Sequence, residues 1–169
     1  MPATDTQDHA RLWELIKDTR FGMFTHRHAD DGLLHSHPLT TQNRSVDEDA
    51  TLYFFVPRDG VIAGQLPHDD VVNVAYANPD DDSYVSVAGR AALVDNEALK
   101  RALFNSAAKA WFPDGADDPN LGLLAVRIES AEFWDVTESK VTQLLKIAKA
   151  ALTGDGRPQL GEHRKVEGG

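Results

Sequence analysis

Cysteine is absent from the 169 residues of this chain. Disulfide bonds, thiolate nucleophiles and thiolate metal sites are therefore excluded together. Basic residues are also few, 17 against 27 acidic ones, which gives a formal net charge of −10. A surface of that sign argues against proteins that grip nucleic-acid phosphates or anionic membranes, so we expect neither nucleic acid nor membrane as a partner.

Long apolar runs are missing as well, since none approaches the roughly 18 to 20 residues that cross a bilayer. The first residues lack the basic and apolar regions of a secretion signal, which predicts a cytoplasmic protein. With 41% hydrophobic and 26% charged residues, the composition is typical of a globular protein. We expect one domain over residues 1–152. Five glycines and few large apolar residues in 153–169 predict a flexible C-terminal tail.

Hydrophobic periodicity predicts a mainly β protein with flanking helices, of the α+β class. Helices are expected at 8–18, 96–110 and 139–152, and strands at 21–28, 33–36, 51–56, 71–76, 84–93 and 123–134. The first two strands flank an Asp-Gly turn at residues 31 and 32 and predict a β-hairpin. Gly89 interrupts an alternating strand, where a bulge or sharp bend is expected. Short strands without crossover helices favour a small closed or half-closed antiparallel barrel.

Motifs that carry known chemistry are scarce. The sequence contains no P-loop, no Gly-x-Gly-x-x-Gly after a strand and no Gly-x-Ser-x-Gly elbow. The paired carboxylates Asp69-Asp70, Asp80–Asp82 and Asp117-Asp118 stand in predicted turns, where aspartate serves local hydrogen bonds. No residue is typical of an obligate catalytic acid or base, so the catalytic residues are unknown at this level.

Four histidines lie within twelve residues across the predicted hairpin: His26, His28, His35 and His37. Alternation places the first two on one face of their strand and the last two on one face of theirs. Up to four imidazoles converge if the register brings those faces together, which is enough for zinc or copper. The other interpretation is strand-surface or cofactor-contacting histidines without a metal. Because no carboxylate or cysteine partner recurs at ligand spacing, the sequence favours that second interpretation, with no metal site.

Six segments taken in order resemble one family. They are RFGM (20–23), DGLLHSHPL (31–39), LYFF (52–55), YVSVAG (84–89), WFPDG (111–115) and AEFWD (131–135). Their succession resembles the general stress protein 26 branch of the pyridoxamine-phosphate-oxidase-like superfamily. The resemblance spans about residues 8 to 147, and its specificity lies in the order and spacing of the segments together.

The resemblance implies a six-stranded antiparallel split β-barrel of Greek-key type. It also implies a homodimer with FMN, or sometimes FAD, bound at the subunit interface. The residues that it places at the cofactor are Ser36, His37, Pro38, Leu39, Phe54, Phe55, Val56, Arg58, Ile62 and Trp111. Trp111 and Trp134 either cover the flavin ring or serve as core or dimer-contact aromatic residues.

Three phosphate-facing positions depart from the family. His37 stands where the family has arginine, Val56 where it has threonine or serine, and Ile62 where it has lysine. Arg58 is the only Lys or Arg between Arg44 and Arg90 and is the remaining candidate for the phosphate. Charge-assisted donors contribute on the order of 1.5–3 kcal/mol each, so losing two weakens FMN binding by roughly 10² to 10⁴.

Three functions follow from these observations. The first is a flavin-binding protein of the general stress type which, if it is an enzyme, is a flavin-dependent oxidoreductase of unknown substrate. The second is a non-catalytic split-barrel stress or binding protein that has lost tight FMN binding. The third is a metal or haem binder built on the histidine cluster. Fold-level analogy does not fix a reaction, and the visible spectrum of the purified protein separates the first from the second.

Overall fold

The computed structural model describes residues 3–19, 21–44, 50–136, 145, 147–149 and 162–167. Helix α1 (Ala3–Asp18) opens the chain, followed by the hairpin β1 (Gly22–Arg27) and β2 (Leu34–Leu39). Next come β3 (Thr51–Pro57), α2 (Val61–Gln65), β4 (Val71–Asn78) and β5 (Ser83–Val94). Two short helices, α3 (Glu97–Leu103) and α4 (Ser106–Lys109), precede the long strand β6 (Leu121–Asp135) and the last strand β7 (Glu162–Glu167).

The strands form one antiparallel sheet in the order β2-β1-β4-β5-β6-β3, with β7 added beside β6. The sheet curls into a half-barrel, because inward-facing side chains of β1 and β3 meet although these strands lie far apart in the strand order. The rings of Phe24 and Phe54 lie 6.5 Å apart. The predicted α+β split barrel is thus confirmed, with a seventh strand beyond the expected six. Among the described helices, none is both long and apolar enough to span a bilayer.

The bulge predicted at Gly89 is present. The register between β5 and β6 shifts between Ala88 and Gly89. Either side of it, Val85, Val87 and Ala91 point into the core, while Tyr84 and Arg90 face outward. Glycine bends the strand here because its backbone approaches the opposite strand too closely for a side chain.

The helix predicted over 96–110 is wrong as a single element. Phe104 has extended backbone angles and ends α3, and the side chain of Asn105 accepts hydrogen bonds from the N–H groups of Ala107 and Ala108 to start α4. Asn96 caps α3, since its Oδ1 accepts a hydrogen bond from the N–H group of Leu99. The apolar periodicity continues across Asn105, where the asparagine side chain nevertheless ends one helix and starts another. The helix predicted at 139–152 lies mostly outside the described residues.

The prediction of a flexible tail does not hold for residues 162–167, because they form β7. This strand pairs with residues 130–135 of β6, and Val166 is buried in the core at 5% exposure. The ring of His163 stacks on that of Trp134 at 4.8 Å. The domain boundary at residue 152 stays a prediction, but these residues take part in the sheet.

We expect Val166→Ala to lower the free energy of unfolding by about 2 kcal/mol, because two buried methyl groups are lost. Val71→Ala is the matched control: the same change at a side chain that is 54% exposed in β4 is expected to shift stability by less than about 0.5 kcal/mol. Urea unfolding of both variants gives the comparison. Equal, small effects would show that β7 does not dock in solution.

Candidate functional site

The hairpin register brings the predicted histidines onto one face. His26 lies opposite His35 and Phe24 opposite His37, and directly paired residues point to the same side of a sheet. That side is the barrel interior, where His26 is completely buried and His28 and His37 are half-buried. The strand pairing therefore shows that the histidines of β1 and those of β2 face the same side of the sheet.

Three of the four imidazoles converge. The ring centroid of His26 lies 4.7 Å from that of His28 and 5.1 Å from that of His37. One nitrogen from each of the three rings lies within 4.8 Å of the other two. His35 takes a different position: it stacks on His28 at 3.8 Å and its Nε2 lies 2.8 Å from Asp31 Oδ2. The sequence allowed four convergent histidines, and the structure gives three with the fourth packed behind them.

The nitrogens of this triad, His26, His28 and His37, are poorly satisfied. Both ring nitrogens of His26 and the Nε2 atoms of His28 and His37 are buried without a hydrogen-bond partner among the described residues. Burial and the neighbouring imidazoles lower the pKa of His26 to about 4, and burial also lowers that of His37 below its ordinary range. These two rings are therefore neutral at pH 7. A buried unpaired polar group is unfavourable by about 1–3 kcal/mol, so such a cluster demands an explanation.

The flavin-facing residues expected on β2 divide between two faces. Ser36 and Pro38 point outward and are exposed, while His37 and Leu39 point into the barrel. On the outer face, Ser36 Oγ lies 2.7 Å from Thr25 Oγ1 of β1. The strand offers the outer side chains and its backbone to a ligand outside the barrel, and His37 belongs to the triad instead.

The residues expected on β3 and α2 are mostly core. Phe54 and Val56 are buried at 0% and 1% exposure, and Ile62 at 7%. Phe55 alternates to the outer face and packs 6.0 Å from Phe104, at the junction of α3 and α4. Side chains at 54, 56 and 62 therefore fill the barrel, and only Phe55 of this group faces outward.

Arg58 and Trp111 lie on the surface. Arg58 Nη2 donates to Asp95 Oδ1 at 3.0 Å. The guanidinium expected to bind the phosphate is therefore already paired with a carboxylate. Trp111 follows α4 and is 84% exposed, a large apolar surface without cover in one chain. Trp134 differs, since its ring lies against His163 of β7.

These placements fit a flavin at one end only. Three positions differ from the family pattern at the phosphate: Val56 and Ile62 are buried apolar residues, and His37 points into the barrel. The phosphate end of FMN therefore meets no free cation among the candidate residues, and it does not fit. The ring end fits better, because the exposed Trp111 and the half-buried Phe55 offer flat aromatic surface.

The hairpin carries exposed apolar side chains at both of its ends. Four large side chains are 42–63% exposed, Phe21 and Met23 where β1 begins and Leu33 and Leu34 where β2 begins. We call these four residues the hairpin patch. No sequence pattern predicts this patch, because exposure depends on which strand face the barrel leaves uncovered.

Comparisons with known proteins agree with this fold. Residues 7–158 match the family described as pyridoxamine 5'-phosphate oxidase like. The protein bli-3 of Neurospora crassa is 26% identical over 154 residues, covering 85% of this chain and 72% of the relative.

Two solved structures share the architecture. One from Jannaschia sp. CCS1, assigned to general stress protein 26, has a TM-score of 0.75 at 22% identity and covers 96% of this chain and 99% of its own. The general stress FMN/FAD binding protein of Xanthomonas citri has a TM-score of 0.69 at 25% identity, covering 79% of this chain and 92% of its own. The match of residues 7–158 places this chain in the pyridoxamine 5'-phosphate oxidase-like family, and the half-barrel is the fold that it shares with these structures.

Proposed function

We propose that this chain is a flavin-binding protein of the general stress type, which holds its flavin between two copies of the chain. The observation that carries the proposal is the exposed apolar surface beside β2, the strand that the family resemblance places against the flavin. The hairpin patch and Trp111 expose five large apolar side chains, and in this proposal a second copy with a flat ring between the two copies covers them. The flavin-binding relative from Xanthomonas citri supports the same ligand class.

Binding in this proposal depends on the ring and hardly on the phosphate. The positions that supply charge and hydroxyl groups in the family are His37, Val56 and Ile62 here, and the last two are buried in the barrel. Arg58 is held by Asp95. Stacking and apolar contact then provide most of the affinity, and FMN, FAD and riboflavin bind with similar strength.

The proposed activity is electron or hydride transfer. The flavin supplies that chemistry when bound, and the chain supplies binding, orientation and exclusion of water. Backbone groups of β2 and the outer side chains Ser36 and Pro38 lie where they orient a ring edge. The outward side chains of β2, which are Leu34, Ser36 and Pro38, include no acid or base, so β2 itself moves no proton in this proposal.

The test is a flavin titration of the full chain, followed by the visible spectrum and by fluorescence quenching. We expect saturable binding, with dissociation constants for FMN and riboflavin within about tenfold of each other, a difference of at most about 1.4 kcal/mol. Sedimentation of the same sample is expected to show a dimer. A protein that ignores both flavins would favour the non-catalytic alternative. FMN bound 10² to 10⁴ times more tightly than riboflavin would show that a phosphate site exists which the structure does not provide.

Trp111→Ala tests, in the same titration, whether this ring contacts the flavin. The variant removes an exposed ring and is expected to weaken both flavins equally, because stacking does not involve the phosphate. Tyr84→Ala is the control, since it removes another exposed aromatic ring, on the outer face of β5, that the proposal does not use. Equal loss in both variants would indicate a general effect on the surface rather than a contact with flavin.

A further inference from the structure

We propose that His26, His28 and His37 bind a divalent transition metal ion, for which zinc(II) is the best match. The three imidazoles come from the facing strands of one hairpin and meet inside the barrel. This site is separate from the proposed flavin surface, because the triad points inward while Ser36 and Pro38 point outward.

The geometry is close to a ligand set. Zinc–nitrogen bonds of 2.0–2.1 Å at tetrahedral angles place ligand nitrogens about 3.4 Å apart. The three nitrogens here lie within 4.8 Å of one another. Side-chain rotation of His28, which follows the end of β1, and of half-buried His37 closes the remaining gap of about 1.4 Å. Neither Nε2 atom gives up a hydrogen bond in doing so.

The donor set selects the metal. Three neutral imidazoles without thiolate or carboxylate suit zinc and copper, and do not suit calcium or magnesium, which prefer oxygen. Asp31, the carboxylate that reaches this cluster, bonds to His35 instead. Three protein ligands leave one tetrahedral position for water or another ligand, as in zinc sites that do chemistry.

Surrounding residues pack against the ligands. His35 stacks on His28 and is itself held by Asp31, so this pair packs against one ligand ring without bonding to its Nε2. The Phe24 ring lies 5.5 Å from that of His26 and shields the buried side of the site from water. Outer contacts of this kind orient metal ligands and tune their affinity.

The metal also accounts for the unsatisfied nitrogens. Both nitrogens of His26 are buried without a partner, and a metal bond satisfies one of them. A metal binds through the lone pair of a ring nitrogen, and no hydrogen bond among the described residues competes for these atoms. A barrel interior filled only for packing would hold apolar side chains at these positions, as it does at Phe24 and Phe54.

The test uses the full chain without an affinity tag, freed of metal by a chelator and of flavin by dialysis. Titration calorimetry with zinc(II) is expected to show one ion per chain. His28→Gln and His37→Gln are each expected to lower the affinity by at least about 10²-fold, because even the outer partners of metal ligands contribute 10- to 100-fold. His68→Gln is the matched control, an exposed histidine in the turn before β4, and is expected to leave affinity unchanged.

Cobalt(II) supplies a second readout. Its visible absorption, intense for tetrahedral and weak for octahedral coordination, is expected to be intense in the wild type and lost in both triad variants. Circular dichroism verifies that the variants fold, and buried His26 is left unchanged for that reason. The proposal is overturned by the absence of saturable binding, or by binding that survives both triad substitutions. Because the sample carries no flavin, neither outcome depends on the proposed flavin site.

Discussion

Gly89→Ala is expected to lower the free energy of unfolding by at least about 3 kcal/mol, at the upper end of what overpacking does. A Cβ at this position would lie 2.0 Å from the carbonyl oxygen of Arg127 and 3.0 Å from its carbonyl carbon. Those atoms are backbone on the paired strand β6, so they cannot swing aside as the end of a flexible side chain does. The substitution must therefore open the bulge or shift the ladder that joins β5 to β6.

Gly64→Ala is the control for this prediction. No atom lies within 4 Å of a Cβ at position 64, which is in helix α2. Because alanine favours the helical conformation over glycine, this change is expected to raise stability by about 0.5–1 kcal/mol. Urea unfolding of both variants measures the difference. A Gly89→Ala protein as stable as the wild type would show that the two strands do not approach so closely in solution.

The titration of His26 is expected to destabilise the metal-free protein by about 3 kcal/mol between pH 7 and pH 4. His26 has a pKa of about 4 in the folded protein and near 6.5 when unfolded. Between pH 6.5 and pH 4 the unfolded chain therefore binds a proton at this histidine and the folded chain does not. The free energy of unfolding falls by about 1.4 kcal/mol per pH unit in that range. Above that range the contribution is flat. The groups that face His26 are His28 and His37, with His35 and its partner Asp31 behind them.

The measurement is a series of denaturation curves at constant ionic strength over this pH range, with a chelator present. His26→Gln is expected to have a shallower slope even if it is less stable at pH 7, because the titrating group is gone. His68→Gln, which removes an exposed histidine, is expected to keep the slope of the wild type. An unchanged slope in His26→Gln would assign the acid sensitivity to other groups.

Local signals in the sequence predicted much of the fold. The Asp-Gly turn, the alternation along β5 and the bulge at Gly89 each depend on a few neighbouring residues, and each is present in the structure. The break at Asn105 and the short helix α2 were missed. A capping asparagine inside an apolar periodicity and a helix of five residues leave weak patterns.

The candidate site depended on information that a sequence holds only weakly. The hairpin register decides that His26, His28 and His37 share a face, and a shift of one residue would have separated them. The burial of Ile62 depends on how α2 docks on the half-barrel. Lysine at that position, suggested by the family pattern, would place its ammonium group at the edge of the core. The family pattern did not predict β7 either, because this strand pairs with β6, which ends 26 residues earlier in the chain.

The position of β7 has a consequence for how the protein folds. Twenty-six residues separate the end of β6 at Asp135 from the start of β7 at Glu162. Until β7 pairs, residues 130–135 present an unpaired edge that includes Phe133 and Trp134. An open edge of this kind pairs readily with any other strand within reach. Chains in which β7 has not yet docked are therefore expected to associate through this edge, and more so as the protein concentration during refolding rises.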